Sequence, residues 1–269
     1  LLQSQLLQPL NTTPIQPRLA ESNLFLISAG GPAAVAFNEF NPVFTRDGLN
    51  FQLSSLIGEN DSYAGEGVVS GLYDRLSFSI GAMHYQTNGF RPNAEQEDDI
   101  ANVFLQYQLS PDTNVQAEYR HRNSTRGDLA LRFFEDNFSP GERNRDEKDV
   151  YRVGLRHDFT PRSTVLSSFT YQEQDFSLLD AQPKEGLPLY FIELERPDRT
   201  FGGELQHLFR GSWFALTTGV GVFDIDSRID SRIGIIFPPP TLLPGSQDAS
   251  TRHVNAYSYA NLRPLKNLT

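Results

Sequence analysis

The 269-residue chain carries 33 acidic against 23 basic residues, a net charge of -10, which argues against nucleic-acid binding because that needs a clustered basic surface. It has no cysteine, so a disulfide frame and a thiolate metal site are both excluded. Hydrophobic residues make up 38% and no run approaches the ~18 apolar residues of a spanning helix, a pattern that excludes a helical membrane bundle but not a membrane barrel, whose strands alternate.

Taken in order, residues 1–22 scatter Pro9, Pro14 and Pro17 among Gln, Asn and Thr without periodicity and read as a linker. Strands are expected at 23–28, 33–40 and 49–57, the last two flanking a turn at Arg46-Asp47-Gly48. Residues 66–73 and 76–86 form a first hairpin joined at Asp74-Arg75, with Leu76, Phe78, Ile80 and Ala82 opposing Ser77, Ser79 and Gly81. The next hairpin, 98–122, is the strongest signal. Ala101, Val103, Leu105, Tyr107 and Leu109 share one face and Asn102, Gln106 and Gln108 the other. On its return arm Val115, Ala117, Tyr119 and His121 oppose Asn114, Gln116, Glu118, Arg120 and Arg122. The turn Ser110-Pro111-Asp112-Thr113 places proline where a type I turn wants its fixed φ.

The same unit returns at 149–174, with the turn Thr160-Pro161-Arg162-Ser163; Tyr151, Val153, Leu155, His157 and Phe159 oppose Arg152, Arg156 and Asp158. Residues 200–209 and 213–224 pair through Arg210-Gly211, and 253–262 opens another strand. Between these, 224–232 alternates Asp and Arg on one face and reads as a strand rising above a bilayer, ended by Pro238-Pro239-Pro240. Tight turns fall near 74, 111, 161, 211 and 264, while the alternate connections 87–97, 123–147, 175–199 and 226–252 are long. That alternation is the wiring of an outer-membrane barrel with short periplasmic turns and long external loops. The expected fold is all-β: an antiparallel up-and-down transmembrane barrel, partial at about 11–12 strands, over residues 23–269. Both ends read as cut, so a fragment of a larger protein is expected.

The segments NEFNPVFTRDGLNFQ (38–52) and VVSGLYDRLSFSIGAMHYQTNGFRPN (68–93), with the two proline turns, resemble barrels of the TonB-dependent outer-membrane receptor class. They are most similar to barrel segments in which the receptor-like domain follows tetratricopeptide repeats. The resemblance runs from about Phe37 onward and implies close to half of a ~22-stranded barrel with a plugged lumen. The family's plug with its coupling box and its terminal aromatic residue do not occur in this stretch. The resemblance implies an outer-membrane location, uptake of a bulky solute such as a metal chelate or glycan fragment, and as partners outer-membrane lipid, a small solute ligand and a periplasmic energy-coupling protein.

Glu118, Arg120, Arg122, Arg152, Arg156, Asp158 and Glu204 fall on the polar faces and are candidates for lining a lumen; cross-paired charges also suit any wet sheet face. The loop after Arg122 carries Phe133, Phe134 and Phe138 as candidate external contacts, and the same composition suits an exposed loop that binds nothing. The acidic run Glu95, Glu97, Asp98 and Asp99 lacks EF-hand spacing and reads as a solvated loop. The five histidines, His84, His121, His157, His207 and His253, lie near strand ends with no metal-ligand spacing. Trp213, Phe214 and Phe159 beside tight turns fit a periplasmic aromatic girdle. No GxSxG elbow is present, and neither catalysis, a metal nor a cofactor is expected. Two further readings stand beside uptake: a tetratricopeptide-associated barrel for polysaccharide export or envelope assembly, and a soluble β-rich binding protein whose apolar faces pack on a second sheet.

Overall fold

Alternation with period two drives the chain into strands, and the turns fix where each strand reverses. The computed structural model describes residues 47–131, 134, 137–182, 189–236 and 241–262. Within them lie ten strands: β1 (Gly48–Ile57), β2 (Tyr63–Tyr73), β3 (Leu76–Thr87), β4 (Gln96–Ser110), β5 (Thr113–Arg126), β6 (Arg143–Thr160), β7 (Ser163–Gln182), β8 (Leu189–Arg210), β9 (Phe214–Ile236) and β10 (Thr241–Leu262). They form one antiparallel sheet in sequence order, β1 to β10. The linker expected over 1–22 and the strands expected at 23–28 and 33–40 lie outside the described residues, as does Pro238-Pro239-Pro240.

The two proline turns are built alike. In each, the ladder shifts by a residue just before the turn, between Gln108 and Ser110 and again between Asp158 and Thr160. The hydroxyls of Ser110 and Thr160 accept from the backbone N–H of Asp112 and Arg162, both at 3.3 Å. His157 then meets Thr113 and His207 meets Ser163, each at 2.8 Å, so two histidines serve to tie neighbouring hairpins at the turn end.

The structure departs from the sequence reading at the other end. The connections expected at 175–199 and 226–252 are mostly strand: β7 runs to Gln182, β8 starts at Leu189, β9 reaches Ile236 and so includes the strand expected at 224–232, and β10 begins at Thr241. Alternation of Asp/Arg with Ile/Ser satisfies a ladder as well as an apolar alternation does, because the backbone bonds do not depend on what the faces meet. Pro197, which has no N–H to give, sits where the β8–β9 ladder is interrupted between Glu195 and Asp198.

The two faces differ sharply. Leu105, Val153, Phe169, Leu205 and Val220 stand exposed on one, Val153 at 56%. Their neighbours in sequence, Phe104, Gln106, Arg152, Glu204 and Gln206, are buried on the other, Phe104 at 1%. A single sheet buries one face without a second layer by curling that face inward. Inward Phe104 and Ile100 break the polar run that Asn102 and Gln106 would otherwise complete. Ile100 joins a small apolar cluster with Ala64, Val68 and Met83.

Candidate functional site

The inner face of β4–β6 gathers most of the candidate charges. Glu118 and Arg152 are directly opposite in the β5–β6 ladder, and their side chains pair at 2.9 Å with 5% and 4% exposure. The Asn102 amide donates to the other oxygen of Glu118 at 2.8 Å. Two inward positions farther along β5, Arg122 donates to Asp98 at 2.8 Å, and Gln96 also meets that fully buried carboxylate. Arg120 lies buried on the same face between these two pairs. In so dry a place an ion pair is retained only with further hydrogen bonds, which Asn102 and Gln96 supply.

The other candidates belong to separate groups. Arg156 and Asp158 pair with one another at 3.0 Å close to the turn, where Thr164 adds its hydroxyl. Glu204 sits on β8 and receives the Tyr257 hydroxyl from β10, to which Gln206 donates at 2.9 Å. This last group depends on Gly219: a Cβ there would lie 2.3 Å from the Tyr257 ring, so only glycine lets the tyrosine lie across β9.

Asn102 and Tyr257 were not among the candidates, and Asp98, expected in a solvated loop, is instead fully buried on β4. Asp98 sits in an acidic run, but its parity with Asn102 sends it inward while Asp99 points outward. Tyr257 lies on a strand whose partner register no local signal reveals.

At the long-loop end, connection 88–95 and the described residues of 127–142 pack together. Arg91 reaches Asp128 at 3.3 Å and donates to the Ala130 carbonyl at 2.8 Å. Its guanidinium lies 5.2 Å from the Phe90 ring and 5.4 Å from that of Phe138. Asp128, 1% exposed, accepts from the backbone N–H groups of Ala130 and Ser139. Phe138 is thus committed to Arg91, whereas Phe134 stands exposed on the surface; Phe133 lies outside the described residues. The acidic run is divided, with Glu95 on Arg143 at 2.8 Å, Asp98 inward and Asp99 on His84 at 2.7 Å.

The outer face has its own order. Beyond the turn-end histidines His157 and His207, mostly apolar residues continue until a charged or histidine row: His84, Asp99, His121, Asp149, Glu173, Arg199, Asp224 and Arg252. Just inside that row Tyr119, Tyr151, Tyr171 and Phe201 stack side by side, with ring centroids 5.0, 6.2 and 4.7 Å apart. At the turn end Phe159 and Trp213 are exposed, and Trp213 packs on Phe214 at 4.9 Å. On β6 Phe159 and Asp149 are ten residue steps apart, ~33 Å along the strand at ~3.3 Å per step. At a tilt of ~40° that is ~25 Å of height, the thickness of a barrel's apolar band.

No protein-family model and no curated protein matches the sequence. The fold, however, is similar to solved structures. The ferripyoverdine receptor of the outer membrane of Pseudomonas aeruginosa matches at TM-score 0.59 and 13% identity, over 84% of this chain and 36% of its own. The copper transporter OprC matches at 0.62 and 13%, over 83% and 35%. The ferric citrate transporter FecA matches at 0.54 and 11%, over 80% and 35%. The chain spans about a third of the length of these structures. A sheet that is apolar outside, charged within and superposable on these structures identifies the fold alone: this chain is an open, partial, antiparallel up-and-down β-barrel, similar to the barrels of the ferripyoverdine receptor and OprC.

Proposed function

We propose that the chain forms part of an outer-membrane receptor barrel that takes up a bulky solute, a metal chelate or a glycan fragment, by binding and gated passage rather than bond chemistry. The supporting observation is the split between an exposed apolar outer face of barrel-band height and an inner face whose charges are buried and paired. In this reading lipid covers Leu105, Val153 and Phe169. Glu118, Arg120, Arg122, Arg152, Arg156, Asp158 and Glu204 line the lumen wall. Connection 88–95 and the described residues of 127–142, with Phe134 exposed, face the outside and meet the solute. Energy for opening comes from a periplasmic coupling protein, as the resemblance implies.

Because the chain has no cysteine, single substitutions report cleanly. In intact outer membranes Val153→Cys is expected to resist a charged maleimide until detergent strips the lipid, while Asp128→Cys reacts only when the loops open. Equal labelling of Val153→Cys before and after detergent would overturn the membrane placement. Uptake itself is tested by cellular accumulation of labelled ferric chelates and oligosaccharides. Loss of accumulation on adding a proton uncoupler supports coupled uptake; accumulation indifferent to both uncoupler and gene deletion removes it.

A further inference from the structure

The outer face carries a feature that the uptake reading does not use. His84 on β3 stands directly opposite Asp99 on β4, and Glu97, two residues before Asp99, shares its face. Two strands on, His121 of β5 stands opposite Asp149 of β6, with Glu147 two residues before it. Each triad offers an imidazole nitrogen and two carboxylate oxygens that all lie within 4.8 Å of one another. The His84 Nδ1–Asp99 Oδ1 separation is 2.7 Å and the His121 Nδ1–Asp149 Oδ1 separation 3.0 Å. A shallow depression floored by Gly65, Ala82 and Ala101 runs beside His84, Asp99 and His121.

We propose that these two His-plus-Glu-x-Asp triads each bind a divalent transition-type cation of the zinc class at the upper margin of the apolar band. Donor chemistry, spacing and repetition all favour such an ion. One nitrogen with two carboxylate oxygens is a donor set that suits zinc and leaves a position open for water. Zinc bonds of ~2.0–2.1 Å in tetrahedral geometry set donors ~3.3 Å apart, so each His–Asp pair needs to open by a few tenths of an ångström and the Glu oxygen, within 4.8 Å, to close by at most ~1.5 Å. Side chains across adjacent strands can make that adjustment without moving the backbone. Finally, the same arrangement occurs twice, on equivalent strand pairs. Each time it holds two carboxylates close together, a repulsion that a cation relieves.

The two sites are not equivalent. The Tyr119 hydroxyl donates to Asp149 at 2.7 Å and orients it, as an outer partner orients a ligand. Against that, Arg145 meets Glu147 at 3.1 Å and competes for it. The triad at His84 is therefore the tighter of the two.

The test uses the full-length protein, free of any histidine tag, purified in detergent and dialysed against zinc chloride, with bound zinc counted by elemental analysis. The wild type is expected to retain two zinc ions per chain, His84→Ala and His121→Ala one each, and the double variant none. The ion lost first on dialysis should be the one removed by His121→Ala. His157→Ala, a turn-end histidine outside both triads, should keep two. Heat-dependent gel mobility confirms that each variant is folded. The proposal is overturned if the folded double variant keeps its zinc, if the wild type holds none, or if calcium displaces zinc as readily as zinc displaces calcium, the mark of a merely acidic surface.

Discussion

The inner face of β4–β6 and the upper reaches of β8–β10 use the same ion-pair chemistry to different ends. In the first, Glu118 and Arg152 are buried from solvent and braced by Asn102. In the second, Arg232 pairs with Glu193 at 3.2 Å while 60% exposed, and Arg228 divides itself between Asp230 and Asp248 at 3.0 and 3.9 Å. A pair in water gives up little hydration and gains little; a buried pair gives up much and depends on its geometry. The inner face of β4–β6 therefore carries a buried, braced charge network, and the extended hairpins continue the same ladder with water-exposed pairs.

The largest expected effect tests that contrast directly. Arg152→Met strands Glu118 as a buried charge and should cost ~3–5 kcal/mol, whereas removing both charges with Glu118→Leu and Arg152→Met should recover most of the loss. The urea midpoint of the heat-modifiable gel shift measures both; additive losses would show that the pair is not coupled. A smaller effect is expected where the loops join the wall. A Cβ at Gly127 would lie 2.2 Å from the Asn93 carbonyl oxygen, so Gly127→Ala should pry the 88–95 and 127–142 connections apart. A cost of ~1–3 kcal/mol is typical of such overpacking, and ~1.4 kcal/mol would already speed limited proteolysis of these connections about tenfold.

On the extension, Arg232→Ala should change the urea midpoint by less than ~1 kcal/mol. A loss as large as that of Arg152→Met would erase the distinction between the two regions. The smallest effect concerns pH. The Asp230 carboxyl, beyond the apolar band, is held below its ordinary value of 3.8 chiefly by the Ser246 hydroxyl, with Arg228 adding to it. A depressed carboxyl stabilises above its unfolded pKa, and that contribution is lost as pH falls through the folded one. Pepsin cleavage of the β9–β10 extension should therefore rise only below about pH 4, with a step that Asp230→Asn removes.

The sequence by itself determined the strands near the tight turns, their facing and their all-β wiring, because a short turn pins register locally and period two then assigns every side chain to a face. Glu118, Arg120 and Arg152 were legible as inward residues for that reason, and so were Leu105 and Val153 as outward ones. Only the tertiary structure decided what met across the long connections. The pairings of β3 with β4 and of β5 with β6 have no tight turn to set them. Opposition of Glu118 to Arg152, of His84 to Asp99 and of His121 to Asp149 follows from packing of the whole sheet. The same limit hid most of the long hairpins of β7–β10: the Asp/Arg alternation at 224–232 was legible as strand and lies in β9, but the less regular polar stretches around it read as loop, although the backbone ladder is indifferent to side-chain polarity.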